Sequence, residues 1–308
     1  MYHLRVKFVK RSEGRSSVAA SAYRSGEKLV DEREGKTHDY TRKSDIEHSE
    51  ILLPDHMPAN LGSRETLWNA VETGIKRKDG QPAFEVEVAL PRELSHEQCA
   101  QLAREFAIDQ FVAKGLPVDL CIHRPIASDG GEHPHCHFLI STRRFSPDGT
   151  LAKAATDLQD NPALVRRIYA LEEAGKIDEA VILQRGTNLG QWREAWADYS
   201  NRFLADSGSE SRVDHRTLAA QQIDREPTPN IGFAFYDRLR GLQGHLAERL
   251  SHWKEVGFRN AMREQMQRIQ SMRPDLTAEF IAHAREYGQK FFPELQRDGP
   301  DLEPDRER

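Results

Sequence analysis

Residues 119–142 read Asp-Leu-Cys-Ile-His-Arg-Pro-Ile-Ala-Ser-Asp-Gly-Gly-Glu-His-Pro-His-Cys-His-Phe-Leu-Ile-Ser-Thr. Two apolar runs, Val118–His123 and His135–Thr142, flank a segment holding Pro125, Gly130, Gly131 and Pro134. Apolar runs separated by Gly and Pro predict two strands joined by a loop. Side chains alternate across a strand, so His135 and His137 share one face while Cys136, Phe138 and Ile140 share the other. In the partner run Val118, Leu120 and Ile122 are apolar, which leaves Asp119, Cys121 and His123 opposite. Antiparallel pairing would gather three imidazoles on one polar face, a donor set suited to a divalent metal with positions left open for water or substrate. A His-x-His pair in a strand is more often a hydrogen-bonded surface feature; a third histidine on the matching face is what favours a metal.

Working outward, two further segments alternate in the same way. Tyr2, Leu4, Val6 and Phe8 form an apolar face with His3, Arg5 and Lys7 opposite, and Phe84, Val86, Val88 and Leu90 form another with Glu85 and Glu87 opposite. Each predicts a half-buried strand. Paired carboxylates on a strand face are usually solvated, but on the histidine face one of them can anchor an imidazole N–H, join a metal shell or act as a base. Helical spacing marks Arg64–Arg77, Ser95–Ala113, 160–184 and Leu189–Leu204, with Ser95 as a capping residue and Leu102, Phe106 and Phe111 facing a core. Four strands with one apolar face each, packed under helices, predict an α+β fold: a central antiparallel sheet with helices on one face, plus a C-terminal helical extension.

Between the first two strands, Gly14-Arg-Ser-Ser turns into Val18-Ala-Ala-Ser-Ala-Tyr-Arg-Ser-Gly26, a helix of small residues capped by Ser16 or Ser17. Tyr23 stands near its end beside Arg24. A helical tyrosine ordinarily buries its ring at the helix–sheet contact; over a polar sheet face its hydroxyl is free for chemistry. Residues 31–50 are almost wholly polar, a charged loop or hairpin ahead of the apolar stop Ile51-Leu-Leu-Pro54. Gly35-Lys36-Thr37 is no phosphate-binding loop, because Val30 stands where the first glycine is required.

At 308 residues the chain has room for one large domain with an appendage, and 30% charged against 38% hydrophobic residues gives a core under a very polar surface. No apolar run nears the ~20 residues that span a bilayer, the sequence begins with a strand pattern rather than a signal peptide, and three cysteines without paired spacing suit a reducing cytoplasm. The net charge of −5 does not mark a nucleic-acid binder, yet residues 1–30 hold seven Lys and Arg against two Glu, while Glu294–Arg308 holds six acidic residues against three Arg. Residues 209–230 read as a connector, 233–295 as a helical extension and 296–308 as an acidic disordered tail, leaving 1–232 as the main domain.

A metal held by three neutral imidazoles keeps its charge for a phosphoryl oxygen, and a tyrosine hydroxyl close by can attack the phosphorus, storing the bond as a tyrosyl ester that can be reversed. At this point the sequence resembles the MobA/MobL (MobQ-class) plasmid mobilisation relaxases of the HUH endonuclease superfamily. The resemblance runs through Met1-Tyr-His-Leu4, Gly14–Gly26, Ser49–Pro54, Phe84–Pro91, Val118–His123, His133-Pro-His-Cys-His-Phe-Leu139 and Val213-Asp-His-Arg-Thr217, in order. It implies that Tyr23 is the nucleophile, that His123, His135 and His137 hold the metal, and that Glu85 is the carboxylate beside it, orienting a ligand or aiding proton removal. It implies Mn²⁺ or Mg²⁺, with Zn²⁺ or Ni²⁺ also acceptable to three histidines. The expected activity is strand-specific nicking of single-stranded DNA at a plasmid origin of transfer in a bacterial cytoplasm. Accessory relaxosome and coupling proteins are the implied partners. Arg5, Lys7, Arg15, Arg24, Arg143 and Arg144 are expected to contact phosphates. His133 departs from the pattern, which has Asn there, and Asp214 and His215 have no role that chemistry assigns. The rival readings are a rolling-circle replication or transposition initiator, a metallohydrolase using bound water, and a metal-stabilised DNA-binding protein without catalysis.

Overall fold

The computed structural model describes residues 2–126, 130–228 and 243–272. In chain order the elements are β1 (Leu4–Val9), α1 (Ser17–Ser25), β2 (Lys28–Asp31), β3 (Lys36–Asp39), β4 (Ile46–Leu52), α2 (Arg64–Gly74), β5 (Ala83–Ala89), α3 (His96–Gln110), β6 (Val118–His123), β7 (His135–Ser141), β8 (Arg143–Phe145), β9 (Leu151–Ala154), α4 (Pro162–Glu173), α5 (Ile177–Gln184), α6 (Asn188–Asp206) and α7 (Gln243–Met272). The chain divides into two compact units, Met1–Arg216 and Thr217–Arg308.

The first unit is built on a five-stranded antiparallel sheet in the order β1-β5-β7-β6-β4, the α+β class that alternation predicts. The four expected strands form with their boundaries within a residue or two. The fifth, β4, lies in a segment read as loop and apolar stop. Its sequence, Ile-Glu-His-Ser-Glu-Ile-Leu, does not alternate, because an edge strand keeps one side in water and its register against β6 breaks between Ile46 and His48. The polar stretch before it contains the β2–β3 hairpin.

Val86, Val88, Leu120, Ile122, Phe138 and Ile140 make the apolar face, buried under α3 and α6 through Leu102, Phe106, Trp192 and Trp196. Ser95 starts α3 with a complete capping box, its hydroxyl accepting from the Gln98 N–H while the Gln98 side chain accepts from the Ser95 N–H.

The helices cover both faces, which corrects the expectation of one. The opposite face is apolar at one end, where Ala83 and Leu139 meet Val9, Val18, Ala22, Leu67, Trp68 and Val71, so α1 and α2 close over it as a second core. The other end of that face stays polar and holds the histidines. The segment expected as one helix over 160–184 is two, α4 and α5, parted by Gly175 at φ +71°.

Of the second unit, α7 carries Arg259 and Arg263, both paired with Glu226. The expected domain boundary at 232 and the acidic tail over 296–308 lie outside the described residues.

Candidate active site

The β6–β7 register sets His123 directly opposite His135 and Cys121 opposite His137, and the β5–β7 register sets Glu87 opposite His137. Residues opposite one another share a face, so the three rings converge. Their centroids lie 5.4 Å (His123–His135), 4.6 Å (His123–His137) and 4.9 Å (His135–His137) apart, with one ring nitrogen of each within 4.8 Å of the others.

Their protons are fixed by neighbours. His137 Nδ1–H donates to Glu85 at 2.6 Å and His135 Nδ1–H donates to the His133 carbonyl at 3.0 Å, which leaves Nε2 of both with its lone pair. His123 donates through Nε2–H to the Arg24 carbonyl at 2.7 Å and keeps its lone pair on Nδ1. Burial lowers the His123 pKa to about 4, outweighing the bond to the Arg24 carbonyl. Burial also lowers His135. Neutral imidazoles with fixed tautomers fit a divalent cation.

Glu85 is 2% exposed and both its oxygens are engaged. One accepts from His137 and from Arg24 Nε at 2.6 Å; the other pairs with an Arg24 terminal nitrogen at 2.6 Å. Burial opposes its ionisation, but the bonds from His137 and Arg24 outweigh that and hold the carboxyl well below the usual range. Glu87 pairs with Lys7.

The helix carrying Tyr23 is fastened at three levels. Glu72 of α2 accepts from the Ser17 N–H and hydroxyl at the α1 start, both at 2.7 Å, where a carboxylate also suits the helix dipole. Ser21 donates to buried Asp119 of β6 at 2.6 Å, and Asp119 also accepts from Arg64 and Trp68. At the far end, Arg24 supplies a guanidinium to Glu85 and a carbonyl to His123. Gly26 then ends the helix at φ +68°, where a Cβ would come 2.3 Å from the Ile46 side chain. Tyr23 stays 47% exposed, its ring edge-on to Tyr40 at 5.3 Å, with Lys43 Nζ 4.2 Å over its face.

The structure thus brings His123, His135, His137, Glu85 and Arg24 together, next in sequence to an exposed Tyr23. The other proposed phosphate contacts divide. Arg5 and Arg15 are exposed, and Arg143 bonds the Ala152 carbonyl. Arg144 forks onto Asp157 at 2.9 and 2.7 Å. Arg24, read from sequence as a DNA contact, is taken up by Glu85. Sequence reasoning put Asp119 on the face with His123 but gave it no role, and it passed over Glu72 and Lys43; a charged residue inside an apolar strand run, Val-Asp-Leu-Cys-Ile, was the available signal for Asp119.

The MobA/MobL family model matches residues 15–238. Among curated relatives, "Mobilization protein MobL" of Acidithiobacillus ferridurans is 35% identical over 253 residues, covering 75% of this chain and 62% of that protein. "Mobilization protein A" of Escherichia coli is 38% identical over 233 residues, covering 75% of this chain and 29% of that protein. The "43 kDa relaxation protein" of Salmonella typhimurium is 34% identical, covering 63% and 50%. The chain therefore spans less than two thirds of the length of each. A solved structure described as "Molecular Basis of Vancomycin Resistance Transfer in Staphylococcus aureus" is 28% identical with a TM-score of 0.57, covering 70% of this chain and 99% of that one. No described helix is long and apolar enough to cross a membrane. With the matched region taking in the tyrosine helix, strands β2 to β9 and all three histidines, this chain belongs to the MobA/MobL family.

Proposed function

We propose that this chain is a relaxase: it nicks one strand of DNA at a plasmid transfer origin and keeps the 5′ end on Tyr23. The observation that carries the reading is the joint anchoring of α1, whose Arg24 bonds a histidine of the triad and its supporting carboxylate while the adjacent Tyr23 remains exposed. His123, His135 and His137 would hold a divalent cation, Mn²⁺ or Mg²⁺ in the cell, which when bound neutralises and polarises a phosphoryl oxygen.

The remaining chemistry belongs to the chain. The Tyr23 Oη–P bond forms as the P–O3′ bond breaks, the phenol proton leaves to water, and the 3′ oxygen is protonated to a free hydroxyl. The ester keeps the bond, so the 3′ hydroxyl can reverse the step. Glu85 orients His137 and does not take the proton, because a deeply depressed, doubly engaged carboxylate is a poor base. Exposed Arg5 and Arg15 meet phosphates and set register rather than sequence.

The test is to incubate the full chain and Mn²⁺ with a single-stranded oligonucleotide spanning the nic site of the plasmid that encodes it, and to look for a denaturation-resistant protein–DNA adduct. Tyr23→Phe should lose the adduct and keep DNA binding. Cleavage by Tyr23→Phe at the parental rate removes Tyr23 as nucleophile, and cleavage without an adduct favours the water-based hydrolase.

A further inference from the structure

The β2–β3 hairpin, in a stretch that reads from sequence as a charged loop, carries a second group of ligating side chains outside the triad. One ligand atom each of Asp31, Glu34 and His38 lies within 4.8 Å of the other two, the spacing that also holds for His123, His135 and His137. Strand parity brings Asp31 and His38 to one face, because His38 is the register partner of Leu29, and Leu29 and Asp31 are the buried positions of β2. The turn returns Glu34 to them, its N–H donating to the Asp31 carboxylate at 2.9 Å.

Two independent features of this group point to a ligand. Asp31 is 0% exposed, yet it accepts only from neutral donors, the Ser16 hydroxyl and the Glu34 N–H, and pairs with no Lys or Arg among the described residues. Lys36, its register partner, turns to Glu34 instead, as does Arg33. A buried carboxylate without a counter-ion is costly. Separately, the His38 Nε2 is buried and has no hydrogen-bond partner. A cation answers both needs, giving Asp31 its opposite charge and taking a lone pair from the ring.

The group is also tied to the helix that carries Tyr23. The Ser16 hydroxyl that donates to Asp31 caps α1, accepting from the Val18 N–H at 3.1 Å and the Ala19 N–H at 3.4 Å. Arg33 bonds Glu72 at 3.0 Å, the carboxylate that holds Ser17. From α2, Asn69 steadies the hairpin by donating to the Val30 carbonyl at 2.8 Å and accepting from the Glu32 N–H at 2.9 Å.

We propose that Asp31, Glu34 and His38 hold a divalent cation of their own, which fastens the β2–β3 hairpin to the start of α1. Mixed nitrogen and oxygen donors select Zn²⁺ or a neighbouring first-row ion over Mg²⁺ and Ca²⁺, which take oxygen throughout. The half-buried Glu34 and His38 give the ion its way in, and water completes the shell. The ion acts at the head of α1, through Asp31 and the Ser16 cap, whereas Tyr23 and Arg24 stand at its tail. The inference therefore does not depend on the relaxase reading.

The test uses the full chain carrying His135→Asn and His137→Asn, which takes the triad out of the count. Dialysed against Zn²⁺ buffered by a weak chelator, this protein should retain one equivalent of zinc by elemental analysis. Adding His38→Gln should release that equivalent while the circular dichroism spectrum keeps its parental form. Glu34→Ala, in the turn, should do the same and carries the test if His38→Gln fails to fold. Zn²⁺ should also slow hydrogen–deuterium exchange at Val18 and Ala19 by ~10-fold or more, a response that the His38→Gln chain lacks. No bound equivalent, an equivalent that survives the substitutions, or binding that leaves exchange at Val18 and Ala19 unchanged each overturns the proposal.

Discussion

Arg24 and Glu85 meet through two contacts of 2.6 Å, joining the helix that carries Tyr23 to the strand behind His137. Because Glu85 also accepts from His137, a single buried carboxylate orients a candidate metal ligand and fixes the helix that carries Tyr23. The two halves of the site are therefore one hydrogen-bonded unit.

Glu85→Gln keeps the shape and removes the charge. It leaves the buried guanidinium of Arg24 without a counter-ion and weakens the hold on the His137 proton. Mn²⁺ affinity measured by calorimetry should fall ~10- to 100-fold, and denaturant unfolding should show a loss of roughly 3 kcal/mol. Parental Mn²⁺ affinity in a folded Glu85→Gln would mean that Glu85 does not orient the triad.

Lys43 sits over the Tyr23 ring and holds it against Tyr40. Lys43→Gln removes a contact worth about 0.5–2 kcal/mol, so the rate of adduct formation should drop roughly 2- to 30-fold while oligonucleotide affinity stays nearly constant. Equal loss of rate and affinity would instead make Lys43 a phosphate contact.

Asp119 gathers Ser21, Arg64 and Trp68 onto one buried carboxylate between β6, α1 and α2. Asp119→Ala leaves Arg64 with Glu27 as its remaining carboxylate and should cost about 3 kcal/mol, with Trp68 emission moving to the red as water enters. A stability within 1 kcal/mol of the parent (measured by urea unfolding, about the worth of one hydrogen bond) would show that packing alone holds α1.

In the second unit, Glu226 is hydrogen-bonded to Arg259 above all and to Arg263, which lowers its pKa to about 2 despite partial burial. A carboxyl depressed on folding binds fewer protons than in the unfolded chain, so its stabilisation is present above the ordinary glutamate range and is lost as pH falls toward 2. For a partly exposed pair the effect is about 1 kcal/mol. Circular dichroism melts from pH 6 to pH 2 should show acid destabilisation that Glu226→Gln lacks; identical profiles would remove Glu226 from that role.

The strands were legible because period-two alternation survives wherever one sheet face is buried, as in Phe84–Leu90 and His135–Ser141. The triad followed from the same parity, since register transmits face identity from β6 to β7. β4 was not legible, because along this edge every residue but Leu52 is half-buried and no alternation results. Nor were the anchors of α1: Glu72 and Asp119 act across 55 and 98 residues on Ser17 and Ser21, and no local pattern reports a partner at that separation. The bond from Arg24 to Glu85 was hidden for the same reason, since a guanidinium beside a tyrosine gives no sign of a carboxylate 61 residues away.

If Tyr23 becomes bonded to DNA, any tug on the strand is a tug on α1. That helix has a mooring at its head on Glu72, amidships on Asp119, and at its tail on Glu85 and His123. Load entering at one phenol would thus be shared by α2, β5 and β6 before any backbone ladder is asked to yield. The short, small-residue helix would then serve as a tow point as well as a carrier of the proposed nucleophile.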